Sequence, residues 1–146
     1  MLAITAAALS GADNSVGVWK RNVEQTTYAS PDPNPITSMI MVREAVTGGL
    51  KIHSKGQRKD GTVIDYTVTV IYDGKDYPVS GTGSVFDTIA ITRIDDNTFP
   101  SVTKKGLYRM KGLTEISKDG KTMTISNEGT DAQGKPQTFK VVWDKQ

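Results

Sequence analysis

The chain has no cysteine and a single histidine, His53. Disulfides, thiol nucleophiles and thiolate metal sites are therefore excluded, and one imidazole cannot build a multi-histidine centre. No stretch approaches the roughly 20 consecutive apolar residues of a membrane span. Charge of one sign is never concentrated: 18 basic and 16 acidic side chains leave a net charge of +2 and are scattered singly. The basic stripe with interleaved aromatics that nucleic acid binding uses is missing. Its nearest approach, Lys51, His53, Lys55, Arg58 and Lys59, falls by alternation mostly on the solvent face of one strand and its turn. A core must form by side-chain packing alone, and 146 residues suffice for one domain that buries roughly two-thirds of its unfolded surface.

What the chain does contain is punctuation. Asp60-Gly61, Asp73-Gly74, Asp95-Asp96-Asn97, Asp119-Gly120 and Gln133-Gly134 separate short runs of alternating apolar residues at hairpin spacing. Strand twist demands positive φ in such turns, which Gly, Asn and Asp tolerate. Thr62 to Tyr72 shows the alternation most clearly: Ile64, Tyr66, Val68, Val70 and Tyr72 point one way, Asp65, Thr67 and Thr69 the other. Further strands are predicted at Val16 to Val23, Ile36 to Glu44, Leu50 to Gly56, Asp76 to Val79, Val85 to Ile94, Phe99 to Lys104, Leu107 to Ser117, Thr122 to Gly129 and Thr138 to Trp143. Three prolines between Tyr28 and Pro35 forbid a ladder there and predict an extended loop. Ser80-Gly-Thr-Gly-Ser84 reads as a flexible hairpin loop, because the helix and lysine of a phosphate-binding loop do not follow it. Pro100 marks an edge or bulge. The fold class is all-β: a single antiparallel up-and-down barrel of about 8–10 strands in a meander, since closure removes aggregation-prone edges.

Residues 1–14 stand apart from this barrel domain of 15–146. Leu2 to Leu9 followed by Ser10-Gly11-Ala12 has the form of a signal-peptide tail with its cleavage site, although the basic n-region is missing. On that reading the protein is exported, to the periplasm or the extracellular space. If the segment is retained, its alternation suits it to strand addition on an exposed edge, with self-association as the consequence and Phe99 to Lys104 as a candidate acceptor.

Val16-Gly17-Val18-Trp19-Lys20 resembles the G-x-W signature opening the first strand of lipocalins and fatty-acid-binding proteins, and Val141-Val142-Trp143-Asp144-Lys145 is similar to the last strand of the latter. Tyr72-Asp-Gly-Lys-Asp-Tyr-Pro-Val79, Lys118 to Thr124 and Gly129 to Lys135 resemble small bacterial lipocalin-like proteins with no assigned activity. The resemblance implies a calycin barrel whose first and last strands meet, with Trp19 plugging one end. Two departures stand out: the interval from Val23 to Ile36 is too short for a helical lid, and Val141 occupies the position of the ligand-binding arginine of fatty-acid-binding proteins.

Alternation assigns Arg21 and Arg93 to the interior, and an inward arginine needs an anion. That anion is an internal partner such as Asp87 or Asp65, or a ligand carboxylate or phosphate at Arg93. Met39, Met41, Met110 and Met123 with Tyr66, Tyr108 and Phe139 suit an adaptable apolar cavity or a filled core equally well. The candidate ligand-binding set is thus Trp19, Arg21, Met39, Met41, Tyr66, Arg93, Tyr108, Met110 and Phe139, around a small hydrophobic or anionic ligand. No cofactor, metal or catalytic residue is expected, because Asp65, Asp87 and Glu115 fall on separate strands without a base beside them. Two functions follow: a non-enzymatic binder of a small apolar or amphipathic ligand, or a filled barrel working through its surface or N-terminal strand.

Overall fold

The computed structural model describes residues 12–146. They form one antiparallel sheet of eleven strands and, among the described residues, no helix. The strands are β1 (Gly17–Tyr28), β2 (Ile36–Val46), β3 (Gly49–Arg58), β4 (Val63–Ile71), β5 (Tyr77–Pro78), β6 (Ser80–Thr82), β7 (Thr88–Ile91), β8 (Thr98–Lys105), β9 (Tyr108–Ile116), β10 (Thr122–Thr130) and β11 (Pro136–Lys145). Their order, β5-β7-β8-β9-β10-β11-β1-β2-β3-β4-β6, is a meander rolled into a nearly closed barrel. The first and last strands meet, Trp19 opposite Lys145 and Arg21 opposite Trp143. Alternation on β4 holds: Ile64, Val68 and Val70 are buried, while Asp65 and Thr69 are exposed.

Elsewhere irregularities redirect the alternation. On β1, Asn22 faces Val142 but Thr27 already faces Lys140, so residues 23–26 bulge out of the ladder. Gln25 N–H donates to Asn22 Oδ1 at 3.0 Å and the Thr26 hydroxyl to the Asn22 carbonyl at 2.8 Å, fixing the bulge. Val23, which simple alternation would put on the same face as Trp19 and Arg21, is therefore 43% exposed, and Tyr28 turns inward instead.

Ser80 to Ser84 is not a free loop. Ser80 to Thr82 pairs with Asp65 to Thr67 of β4 as β6. Gly81 has φ 129° and a Cβ there would sit 2.2 Å from the Asp65 carbonyl oxygen, so glycine is what lets the two backbones touch. Nor is β8 an edge: it pairs with β7 and with β9. Pro100 lies beyond the β7–β8 ladder, which spans Ser101 to Lys104 on β8, so its missing N–H breaks no bond with that neighbour.

One end of the barrel is plugged. Trp19 is fully buried and its Nε1 donates to the Ser15 carbonyl at 2.9 Å, giving the large ring its polar partner. Lys145 Nζ lies 5.5 Å from the centre of that ring. Residues 12–15 dock across this end. Asn14 N–H donates to the Asp96 carbonyl at 3.0 Å and Asn14 Nδ2 to Asn97 Oδ1 at 2.7 Å, while the Tyr72 hydroxyl donates to the Asp13 carboxylate. The segment expected to serve as a leader or arm lies, up to residue 11, outside the described residues.

Candidate ligand-binding site

The barrel interior is not filled. A cavity of about 380 Å³ runs from the plugged end to a mouth at the opposite end, within the roughly 300–1,000 Å³ of small-molecule sites. The mouth is framed by the proline loop at Ser30 to Pro33, by Gly83 to Phe86 and by Asp131 to Gln133. Gln137 fastens the proline loop, accepting from Ser30 N–H at 3.1 Å and donating to the Ser30 carbonyl at 2.9 Å. The glycine-rich segment thus helps to frame the mouth after its short strand has paired.

The walls are apolar. Met39 and Met41 of β2, Ile64 and Val68 of β4, Ile89 and Ile91 of β7, Met110 of β9 and Phe139 of β11 all face the cavity. Period-two alternation places them there, since side chains two apart on a strand share a face. Phe139 stacks on Tyr28, ring centres 5.1 Å apart. Met123 is fully buried but packs in the core, outside this lining.

Arginines and tyrosines supply the polarity. Arg21, 9% exposed, donates through Nη2 to the Tyr28 hydroxyl at 2.8 Å and lies 5.8 Å from the Trp143 ring centre. Arg43, two positions beyond Met41 on the same face, is 5% exposed and its Nε has no hydrogen-bond partner. Burial pulls its pKa below the usual value, with Tyr72, Asp13 and Tyr66 pulling the other way. Arg58 stands nearer the mouth, 3.9 Å from Asp32 and donating to the Asn34 carbonyl at 3.3 Å. Burial raises the Tyr66 hydroxyl, against the opposing fields of Arg21, Arg43 and Arg58, and pushes Tyr108 up to about 12. Both tyrosines stay protonated at neutral pH and are available as donors.

Of the residues singled out from the sequence, Arg21, Met39, Met41, Tyr66, Tyr108, Met110 and Phe139 line one cavity. Trp19 and Arg93 do not. Trp19 belongs to the plug. Arg93 lies past the end of β7, because the chain leaves the ladder at Thr92, whose N–H turns to the Pro100 carbonyl. Its guanidinium is engaged at the plugged end by Asp96 at 2.9 Å and by the carbonyls of Asp95 and Ala12. Neither Asp65 nor Asp87 serves as an internal acceptor: Asp87 is exposed, and Asp65 lies 2.8 Å from His53 Nε2 on the outer face. Sequence reasoning missed Arg43, Arg58, Tyr28 and Trp143. Arg43 was legible, being in step with Met39 and Met41. Arg58 is likewise in step with the buried Ile52 and Ser54, not with the exposed Lys51 and Lys55.

Among solved structures, the barrel matches that described as the S-type phycobiliprotein lyase CPES from Guillardia theta, with a TM-score of 0.57 over 91% of this chain and 89% of that one, at 10% identity. At that identity the likeness concerns the fold, a lipocalin-like β-barrel. No family model and no curated protein matches the sequence.

Proposed function

We propose that this protein holds a small apolar or amphipathic ligand inside its barrel, without transforming it. The carrying observation is the cavity itself: about 380 Å³, walled by thioether, aliphatic and aromatic side chains, with its mouth at the end away from Trp19. A barrel working through its surface alone would gain stability by filling that volume, because unfilled interior forfeits packing energy. Binding without chemistry is supported by the lining, in which guanidinium and phenol donors face apolar walls while the one imidazole lies on the outer face beside Asp65. The methionines suit a flexible ligand, since they repack readily.

Native mass spectrometry of protein purified from its source tests this reading. A retained small molecule that denaturation releases is the expected result. If nothing is retained and the neutral dye Nile red gains no fluorescence with the purified protein, the carrier reading falls. We further propose export to the periplasm or the extracellular space, on the strength of Ser10-Gly11-Ala12. N-terminal sequencing of the native protein should then begin near Gly11 to Asp13, and an intact Met1 would overturn it.

A further inference from the structure

The distribution of charge in the cavity specifies more of the ligand, an inference that rests on the carrier reading above. Three guanidinium groups line the cavity: those of Arg21 and Arg43 lie within the barrel, and that of Arg58 stands near the mouth beside Asp32. The carboxylates of the lining, Asp32 and Asp131, belong to the mouth loops. The interior arginines therefore have no carboxylate beside them in the lining, whereas Arg58 at the rim has Asp32.

The three arginines differ in how they are served. Arg58 has Asp32 and a carbonyl, and Arg21 has the Tyr28 hydroxyl and an indole face. Arg43 has neither kind of support. None of the salt bridges among the described residues includes it, and its Nε is unpartnered. The one carboxylate whose field reaches it, Asp13, already accepts from the Ser15 hydroxyl, the Ser15 N–H and the Tyr72 hydroxyl. Trp143 Nε1, across the ladder from Arg21, is a second buried donor without a partner. Both unmatched atoms in the lining are donors, one of them on a cation. A buried cation left in this state is costly and is relieved only by an acceptor, best an anionic one.

We propose that Arg43 anchors the carboxylate of an amphipathic organic anion, which enters head-first so that its apolar tail lies along Met39, Met41 and Phe139 toward the mouth. Arg21 and the Trp143 indole flank the head group. The arrangement selects for both charge and tail: the buried cation without a partner meets the head, and the side chains of Met39, Met41 and Phe139 meet the tail.

Calorimetric titration with decanoate, decanol and acetate, on the wild type and on Arg43→Gln, tests the proposal. Decanoate should bind about tenfold or more tightly than decanol, the range set by a charged hydrogen bond. Arg43→Gln should abolish that preference by weakening decanoate alone, and acetate should bind far more weakly than decanoate. The wild-type comparison stands even if the variant fails to fold. Equal affinity for decanoate and decanol, or an Arg43→Gln effect equal on both, overturns the anion site while leaving the carrier reading intact. Acetate binding as tightly as decanoate overturns the amphipathic ligand. Failure of decanoate and decanol alike overturns the amphipathic anion, and the carrier reading falls with it only if Nile red also fails to bind.

Discussion

Replacing Arg43 by methionine should make the ligand-free protein more stable. The side chain is 5% exposed and its Nε lacks a partner. An unsatisfied buried donor costs about 1–3 kcal/mol, and a buried charge more. The opposing contributions are the field of Asp13 and those of the Tyr72 and Tyr66 hydroxyls, which do not outweigh burial, since burial is the largest influence on the Arg43 pKa and lowers it. Methionine, of similar length and unbranched, would continue the row begun by Met39 and Met41. A net gain of about 1–3 kcal/mol is expected, within the range found when buried ionic groups give way to apolar ones. For a domain of this size each kcal/mol moves Tm by roughly 2–4 °C, so Arg43→Met should melt about 2–12 °C higher by scanning calorimetry. Saturating decanoate should narrow or reverse the difference, because a ligand raises the stability only of the form that binds it. A lower Tm for the ligand-free variant would refute the reasoning and make Arg43 a structural member of the Asp13–Tyr72 plug.

Trp19→Ala should cost about 3–5 kcal/mol in urea unfolding, because the fully buried indole fills the plugged end and holds the Ser15 carbonyl; a loss under about 1 kcal/mol would show that the plug is not structural. Gly81→Ala forces a Cβ to within 2.2 Å of the Asp65 carbonyl, so β6 must shift, at about 1–3 kcal/mol; unchanged stability and unchanged amide-exchange protection at Asp65 to Thr67 would contradict that close approach. Acid should destabilise the protein through its turns. The Ser117 hydroxyl and Lys121 N–H hold the Asp119 carboxyl below its usual pKa, Asn97 N–H does the same for Asp95, Lys75 N–H for Asp73, and the Thr62 hydroxyl for Asp60. A depressed native pKa means that the unfolded chain takes up protons first as pH falls. The stabilisation is therefore complete above the unfolded value of about 3.9 and is lost below it. Tm should be level from neutrality to about pH 5 and fall below about pH 4, less steeply in Asp95→Asn; a Tm constant down to about pH 2.5 would exclude the mechanism.

The all-β meander, its turns and the inner faces of β2 and β4 were legible because hairpin chemistry and period-two burial are local properties: Asp73-Gly74 needs only its neighbours, and Ile64 to Val70 need only one dry face. The meeting of first and last strands was likewise visible, through the resemblance carried by Trp19 and Trp143. What only the tertiary structure decided is where local rules yield to the barrel's closure. The bulge at residues 23–26 exposes Val23 and turns Tyr28 inward, the close pairing of Gly81 with β4 makes a strand of an apparent loop, and the end of β7 at Ile91 carries Arg93 out of the interior. The cavity belongs to the same class. Methionines and tyrosines on inner faces serve a packed or an open interior equally well, and whether they meet across a barrel depends on its width and shear, which are properties of all eleven strands together. Arg43 shows the boundary between the two: alternation alone places it inside, but its lack of a partner emerges only when every neighbour from the other strands is in place.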